Sequence, residues 1–274
     1  MRGEFIDVAG TRLYYYAAGT RGGGEPVVLL HGFPTSSHLW AELVPLLPHD
    51  RRIVVLDLLG FGRSDRPGGR DVSLRGHAER TIGFLDALGI NYACIVGHDT
   101  GGGIAQQLAI GWPTRVSRLC LVNSVAFDAW PARETRLARA MMPLTRHLPP
   151  AWLLSVVRTD LLRGYAVNER GTHSVDRYLK PFASADGRAA LHEHLTALDA
   201  AQTMALVPRL AQIAAPTAVV WGEDDPFLPG DIGRRLASSI PGATFELVRG
   251  GRHFIAEEAP EQVARAIRAL LDRH

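Results

Sequence analysis

Short, strongly apolar runs recur along this chain, each followed by a turn rich in glycine or polar residues. Val27-Val28-Leu29-Leu30, Ala93-Cys94-Ile95-Val96, Ala218-Val219-Val220 and Phe245-Glu246-Leu247-Val248 have the length and residue types of β-strands. Two more strands are expected over residues 11–17 and 52–58, and in the first of them the consecutive Tyr14, Tyr15 and Tyr16 fit sheet packing rather than a site. Helix-like segments separate these runs. Ser73 is placed to cap a helix reaching about Leu88, with Gly89 ending it. A second helix is expected from Thr100 to about Gly111, closed by Pro113. Strands alternating with helices predict an α/β fold with a mostly parallel central sheet flanked by helices.

Between Asn123 and about Ala215 the strand-like runs stop and helical periodicity takes over, through Leu137-Met141-Met142, Trp152-Leu153-Leu154 and Leu191-Leu195-Leu198. This divides the chain into a core, residues 1–125 and 212–274, and a helical insertion, residues 126–211.

At 274 residues and 46% hydrophobic content, the chain is long enough to bury a large core. Thirty basic against 28 acidic residues give a net charge of +2, with the arginines scattered, which argues against a nucleic-acid partner. Lys180 is the sole lysine, a compositional bias with no functional content. Cys94 and Cys120 lie in apolar runs, where cysteine behaves as a small buried hydrophobe, so no disulfide is expected. The N-terminal residues lack the apolar stretch of a signal peptide, and no run approaches the roughly 20 residues that span a bilayer. The expectation is a cytoplasmic protein with no membrane partner, and nothing in the pattern asks for a cofactor or metal. A homodimer stays open.

The candidate chemistry sits where apolar runs end. Gly97-His98-Asp99-Thr100-Gly101-Gly102 follows Ala93–Val96, with small residues two before and two after an aspartate, as a sharp strand-to-helix turn requires. Trp221-Gly222-Glu223-Asp224-Asp225-Pro226-Phe227-Leu228-Pro229 follows the run at 218–220, and Gly250-Gly251-Arg252-His253-Phe254 follows the run at 245–248. His31-Gly32-Phe33-Pro34 follows the run at 27–30. Each motif alone is weak, because Asp, Gly, His-Gly and Asp-Pro are ordinary turn material. Four of them in one order, each after a strand-like run, are hard to obtain by accident.

Together these motifs resemble the α/β-hydrolase fold superfamily, and the aspartate at the elbow resembles its aspartate-nucleophile branch. The resemblance implies Asp99 as nucleophile, His253 as the base that activates water, and Asp225 as the acid orienting that base. Glu223 and Asp224 are adjacent alternatives for the acid. It also implies an oxyanion hole from the backbone N–H groups of Phe33 and Thr100, because Pro34 has none to give. The chemistry is attack on a saturated carbon, an alkyl ester of the enzyme, and its release by water. The helical insertion resembles the family's cap over the active site, whose apolar inner face excludes water and holds a small apolar organic substrate.

Epoxide hydrolases and haloalkane dehalogenases compete as the closer likeness. The epoxide reading comes first, because epoxide hydrolases share the H-G-x-P motif, the turn Gly60-Phe61-Gly62-Arg63-Ser64 and the elbow. It needs a proton donor in the cap: Tyr165 and Tyr178 are the candidate phenols, with His192 and His194 nearer the place of the second. For the histidines, a helix face without chemistry is the simpler reading. The stretch His31-Gly32-Phe33-Pro34-Thr35-Ser36-Ser37-His38-Leu39-Trp40 resembles the dehalogenases. Many of those carry a tryptophan directly after the nucleophile, where this chain has Thr100, and Trp130 is the candidate N–H donor to a halide. Ester, lactone or carbon–carbon bond hydrolysis, or a non-enzymatic binding protein on this fold, are further alternatives.

Overall fold

A computed structural model describes residues 3–132, 135, 136, 139 and 150–273 of the chain. Eight strands form one sheet: β1 Glu4–Asp7, β2 Arg12–Ala18, β3 Gly24–Leu30, β4 Arg51–Leu56, β5 Ala93–Asp99, β6 Val116–Ser124, β7 Thr217–Gly222 and β8 Thr244–Val248. They lie in the order β1-β2-β4-β3-β5-β6-β7-β8. From β4 to β8 every pairing is parallel, while β2 runs antiparallel to both β1 and β4. The central strands read as unbroken apolar runs because both of their faces are covered. Val27 to Leu30 and Ala93 to Val96 are all fully buried.

Two strands, β1 and β6, are not among those placed from the sequence, and one strand limit differs. The strand expected over 52–58 stops at Leu56, because the Asp57 carboxylate turns to accept the Ser37 and Arg63 backbone N–H groups. The chain also opens with an edge strand, β1, that no apolar alternation announced. Tyr14 and Tyr15 are buried in β2 and Tyr16 is half-buried, as sheet packing requires.

The helix α1, Leu74–Ala87, is capped by Ser73, whose Oγ accepts the Gly76 N–H at 3.0 Å. The helix α2 spans Thr100–Gly111. Cys94 and Cys120 are buried free thiols.

Between β6 and β7 the described chain contains helices but no strand: Pro150–Leu162, Asn168–Leu179, Ala185–Ala197 and Ala201–Met204. Of the apolar positions that mark this stretch, Leu191, Leu195 and Leu198 are buried and Leu153 and Leu154 half-buried, whereas Trp152 is exposed. Leu137, Met141 and Met142 lie outside the described residues. No described helix is long and apolar enough to cross a membrane.

This topology fixes where chemistry can sit. Strand β3 pairs with β4 on one side and β5 on the other, so the winding reverses there, and the connections leaving the carboxyl ends of β3 and β5 part to form a crevice. The turn His31-Gly32-Phe33 and the turn at Asp99 both leave strands at that edge.

Candidate active site

Strand β5 ends on Asp99 and passes at once into α2. Asp99 has φ 51° and ψ −120°, a left-handed backbone that costs a non-glycine residue on the order of 1–3 kcal/mol. The turn closes only with glycine on both sides. A Cβ on Gly97 would stand 2.3 Å from the Gly101 carbonyl oxygen, and one on Gly101 would stand 2.3 Å from that of Leu30.

The Asp99 carboxylate lies in a ready-made donor site. Its Oδ2 accepts the Phe33 N–H at 2.9 Å, and the neighbouring Thr100 N–H favours its charged form. The Phe33 N–H lies 3.0 Å from Thr100 Oγ1 as well. Burial pushes the carboxyl above the ordinary aspartate value, and the nearby His253 and the two N–H groups only partly offset that rise. The N-terminus of α2 also favours negative charge at this point.

Gly32 sits against this group: a Cβ there would stand 2.5 Å from both Cβ and Oδ2 of Asp99. Gly32→Ala is therefore expected to push the carboxylate off the Phe33 N–H. The expected loss in kcat is about 10²–10³-fold, the usual cost of removing one such donor. Steady-state kinetics beside a thermal unfolding curve check it: activity should fall while the fold persists.

Strands β7 and β8 supply the other half of the site. His253 Nδ1 lies 2.8 Å from Asp225 Oδ2, so among Glu223, Asp224 and Asp225 the third faces the imidazole. The Glu223 carboxylate instead accepts the Gly250 N–H, and Glu223 and Asp224 are exposed. The Phe227 and Leu228 N–H groups close on Asp225 Oδ1. For Asp225 burial pushes upward, but His253, Asn123 and the Phe227 N–H outweigh it and hold the carboxyl below its ordinary value. For His253 burial pushes downward, and the Asp225 carboxylate more than reverses it, leaving the imidazole above the ordinary 6.5.

A third support was invisible in the motifs. Asn123, near the end of β6, has φ 40° and is fully buried. Its Nδ2 donates to Asp225 Oδ2, and its Oδ1 accepts the Gly222 N–H. Its only signal in the sequence is an amide ending the apolar run Leu119-Cys120-Leu121-Val122.

Asp99, Thr100 and His253 line a cavity of about 500 Å³, with Phe33, Leu153, Val157, Leu198 and Phe227 among its apolar walls. Its polar margin includes Asp160 and Arg163, which are ion-paired at 2.8 Å.

The structure does not bring the candidate proton donors to this cavity. The Tyr165 hydroxyl donates to Glu257 Oε1 at 2.8 Å, and the Tyr178 hydroxyl donates to the same oxygen. Glu257 is itself buried and takes the Ser174 hydroxyl on its other oxygen. A buried carboxylate draws every nearby donor toward it, so both phenols turn away from the cavity. Tyr165 also stacks on Phe254, with ring centroids 4.3 Å apart. His192 is exposed. His194 is buried 4.1 Å from the ring of Phe61 and stacked on His77, and burial pushes its imidazole down to about 3. It lines only a narrow side chamber of about 20 Å³, which shares Phe33, Thr100, Trp130 and Leu198 with the main cavity. Trp130 does line the cavity, but its Nε1–H donates to Thr203 Oγ1 at 2.6 Å and is not presented to a ligand.

Among the described residues no group of three or more histidine, cysteine or carboxylate side chains could hold a metal ion.

The profile of the family described as alpha/beta hydrolase fold matches residues 25–260. Haloalkane dehalogenase 2 of Mycobacterium tuberculosis (strain H37Rv) is 30% identical over 275 residues, covering 96% of this chain and 93% of that protein. A 2-hydroxy-6-oxononadienedioate/2-hydroxy-6-oxononatrienedioate hydrolase of Paraburkholderia xenovorans is 30% identical, covering 93% of this chain and 89% of that one. Among solved structures, an alpha/beta hydrolase fold protein from Burkholderia ambifaria superposes with a TM-score of 0.85 at 27% identity, covering 99% of this chain and 100% of that one.

Proposed function

The chain belongs to the α/β-hydrolase fold family, and from that premise we propose that it hydrolyses small apolar alkyl halides through a covalent ester on Asp99. The observation that carries this reading is Asp99 itself, a carboxylate with one oxygen held by the Phe33 N–H in a cavity that His253 also lines. A serine at the elbow would enter acyl transfer; a carboxylate is suited to displacement at saturated carbon.

In the first step Asp99 Oδ1 attacks the carbon bearing the halogen, the carbon–oxygen bond forms, and the carbon–halogen bond breaks with its electron pair leaving as halide. Burial strips water from the nucleophile and raises its affinity for an electrophile. In the second step His253 takes a proton from water, and the resulting hydroxide adds to the Asp99 carboxyl carbon. The Phe33 and Thr100 N–H groups hold the negative oxygen of the tetrahedral intermediate. Its collapse expels the alcohol, which takes the proton back from His253, and the acid left on Asp99 ionises. The net change is alkyl halide plus water to alcohol, halide and a proton. The helices between β6 and β7 act as a cap that keeps bulk water from the ester.

The choice of leaving group rests on where the candidate donors among the described residues point. An opening epoxide needs an acid for its oxygen, and the Tyr165 and Tyr178 hydroxyls both donate their hydrogen bonds to Glu257. A halide leaves as a stable anion and needs no proton, although Trp130, the candidate N–H donor to it, is itself engaged with Thr203. Epoxide opening is the second reading, favoured by the H-G-x-P and Gly60–Ser64 motifs.

A single turnover in ¹⁸O-labelled water tests the scheme. Label should enter the Asp99 carboxylate and be absent from the first product molecule, since water attacks the carboxyl carbon. Halide or diol in the supernatant then tells the two substrates apart. Label in the first product with none on Asp99 would mean that water attacks the substrate directly, and the proposal would fail.

A further inference from the structure

Two buried polar atoms next to the base have no partner among the described residues: Trp40 Nε1 and His98 Nδ1. Both residues are fully buried. Their rings meet edge to face, with centroids 6.4 Å apart. Unpaired polar atoms in a core call for an explanation, and here the two vacancies are complementary. An indole N–H can only donate.

The state of the imidazole follows from its other nitrogen. His98 Nε2 lies 3.0 Å from the carbonyl oxygen of His253, and a carbonyl only accepts, so Nε2 carries the proton. Burial pushes this imidazole down to about 3, so it is neutral in ordinary buffers. A neutral ring protonated at Nε2 has a bare lone pair at Nδ1, the acceptor that the Trp40 N–H lacks.

We propose that Trp40 and His98 form a buried positioning pair for His253: the Trp40 indole N–H donates through one trapped water to His98 Nδ1 and fixes His98 as the tautomer that donates to the His253 carbonyl. The consequence is a second hold on the base. Asp225 orients the imidazole from the side-chain end, and His98 anchors the same residue by its main chain. His98 also precedes Asp99 in the chain and its ring touches that of His253, with centroids 4.6 Å apart. One hydrogen bond therefore ties the strand carrying the nucleophile to the loop carrying the base. Trp40 ends the short 3-10 turn Ser37–Trp40, so the turn after the Gly32–Pro34 loop joins the same unit. This inference rests on His253 being the base, while its first test does not require any substrate.

Nitrogen-15 spectra of histidine-labelled protein should show His98 protonated at Nε2 and bare at Nδ1 across the neutral range, with the Trp40 indole proton protected from exchange. Trp40→Phe should shift the His98 Nδ1 resonance and lower kcat roughly tenfold to a hundredfold at unchanged KM, the scale of a slightly misplaced catalytic group. His98→Gln, whose amide can still reach the His253 carbonyl, should retain more kcat than His98→Leu. A proton on Nδ1 in the unmutated protein overturns the pair whatever the variants do. So does a Trp40→Phe protein whose His98 nitrogens and kcat match the unmutated one. Absence of turnover on halides and epoxides would count against the proposed reaction and leave the spectra to judge the pair.

Discussion

His253→Gln protein mixed with a reactive alkyl bromide should gain the mass of one alkyl group on the peptide that holds Asp99. The first displacement asks nothing of the imidazole: the nucleophile is already a carboxylate, with its Oδ2 bound by the Phe33 N–H. Ester hydrolysis does need a base, so the variant should load once and stop. Steady-state turnover should drop by about 10⁴-fold, the usual scale for losing a member of such a triad. With an epoxide the added mass is that of the whole substrate, because ring opening expels nothing. Mass spectrometry of the digest reads both results. Failure to find an adduct with either class, together with undiminished turnover by Asp99→Ala, would remove the covalent mechanism.

Asp225→Asn should cost a similar factor, about 10⁴-fold, and should also move the pH profile. Asp225 Oδ2 accepts from both His253 Nδ1 and Asn123 Nδ2, and the Phe227 and Leu228 N–H groups close on Oδ1. Every contact is a donor pointing inward, so a side-chain amide must turn its own NH₂ against one of them. The ring then loses the acceptor that fixes its tautomer. The sign of the pH effect follows from His253. Its imidazole is held above 6.5 because Asp225 outweighs burial, and it must be neutral to take a proton from water. Ester hydrolysis in the unmutated protein should therefore rise with pH through a midpoint above 6.5. Without the carboxylate, burial dominates and the same midpoint should fall to lower pH. Rates of ester hydrolysis against pH for the two proteins measure the displacement; a midpoint that stays in place would separate Asp225 from control of the base.

Much of this architecture was legible in the chain because the relevant signals are local. Apolar runs ending in turns placed six of the eight strands near their observed limits, and Ser73 and Gly89 bracketed α1 by ordinary capping chemistry. The elbow reads plainly because only glycine tolerates the close approaches at positions 97 and 101. Which of the adjacent carboxylates faces His253 is a matter of orientation, and Asp225 is the one that does.

What the sequence hid was partnership at a distance. Nothing near Tyr165 or Tyr178 indicates that Glu257, 92 and 79 residues later, will accept their hydroxyl hydrogen bonds. The indole of Trp130, in a loop, likewise meets Thr203 of a distant helix. Asn123 escaped notice because one amide at the end of a strand has no motif, although its left-handed backbone and two hydrogen bonds brace the acid. Edge strand β1 is mostly exposed, so it carries no hydrophobic alternation to read.

The Glu257 cluster bears on how this protein could acquire new substrates. Tyr165, Tyr178 and Ser174 converge on Glu257, and the N–H groups of His253 and Phe254 both reach the Gly164 carbonyl. One flank of the cavity is thus bolted to the loop of the base, and substitutions there would disturb chemistry along with shape. On the side of Leu195 and Leu198, from the helix Ala185–Ala197 and the turn after it, no hydrogen bond among the described residues runs to the His253 loop. Laboratory evolution toward bulkier or differently shaped molecules should find its tolerated changes on that side.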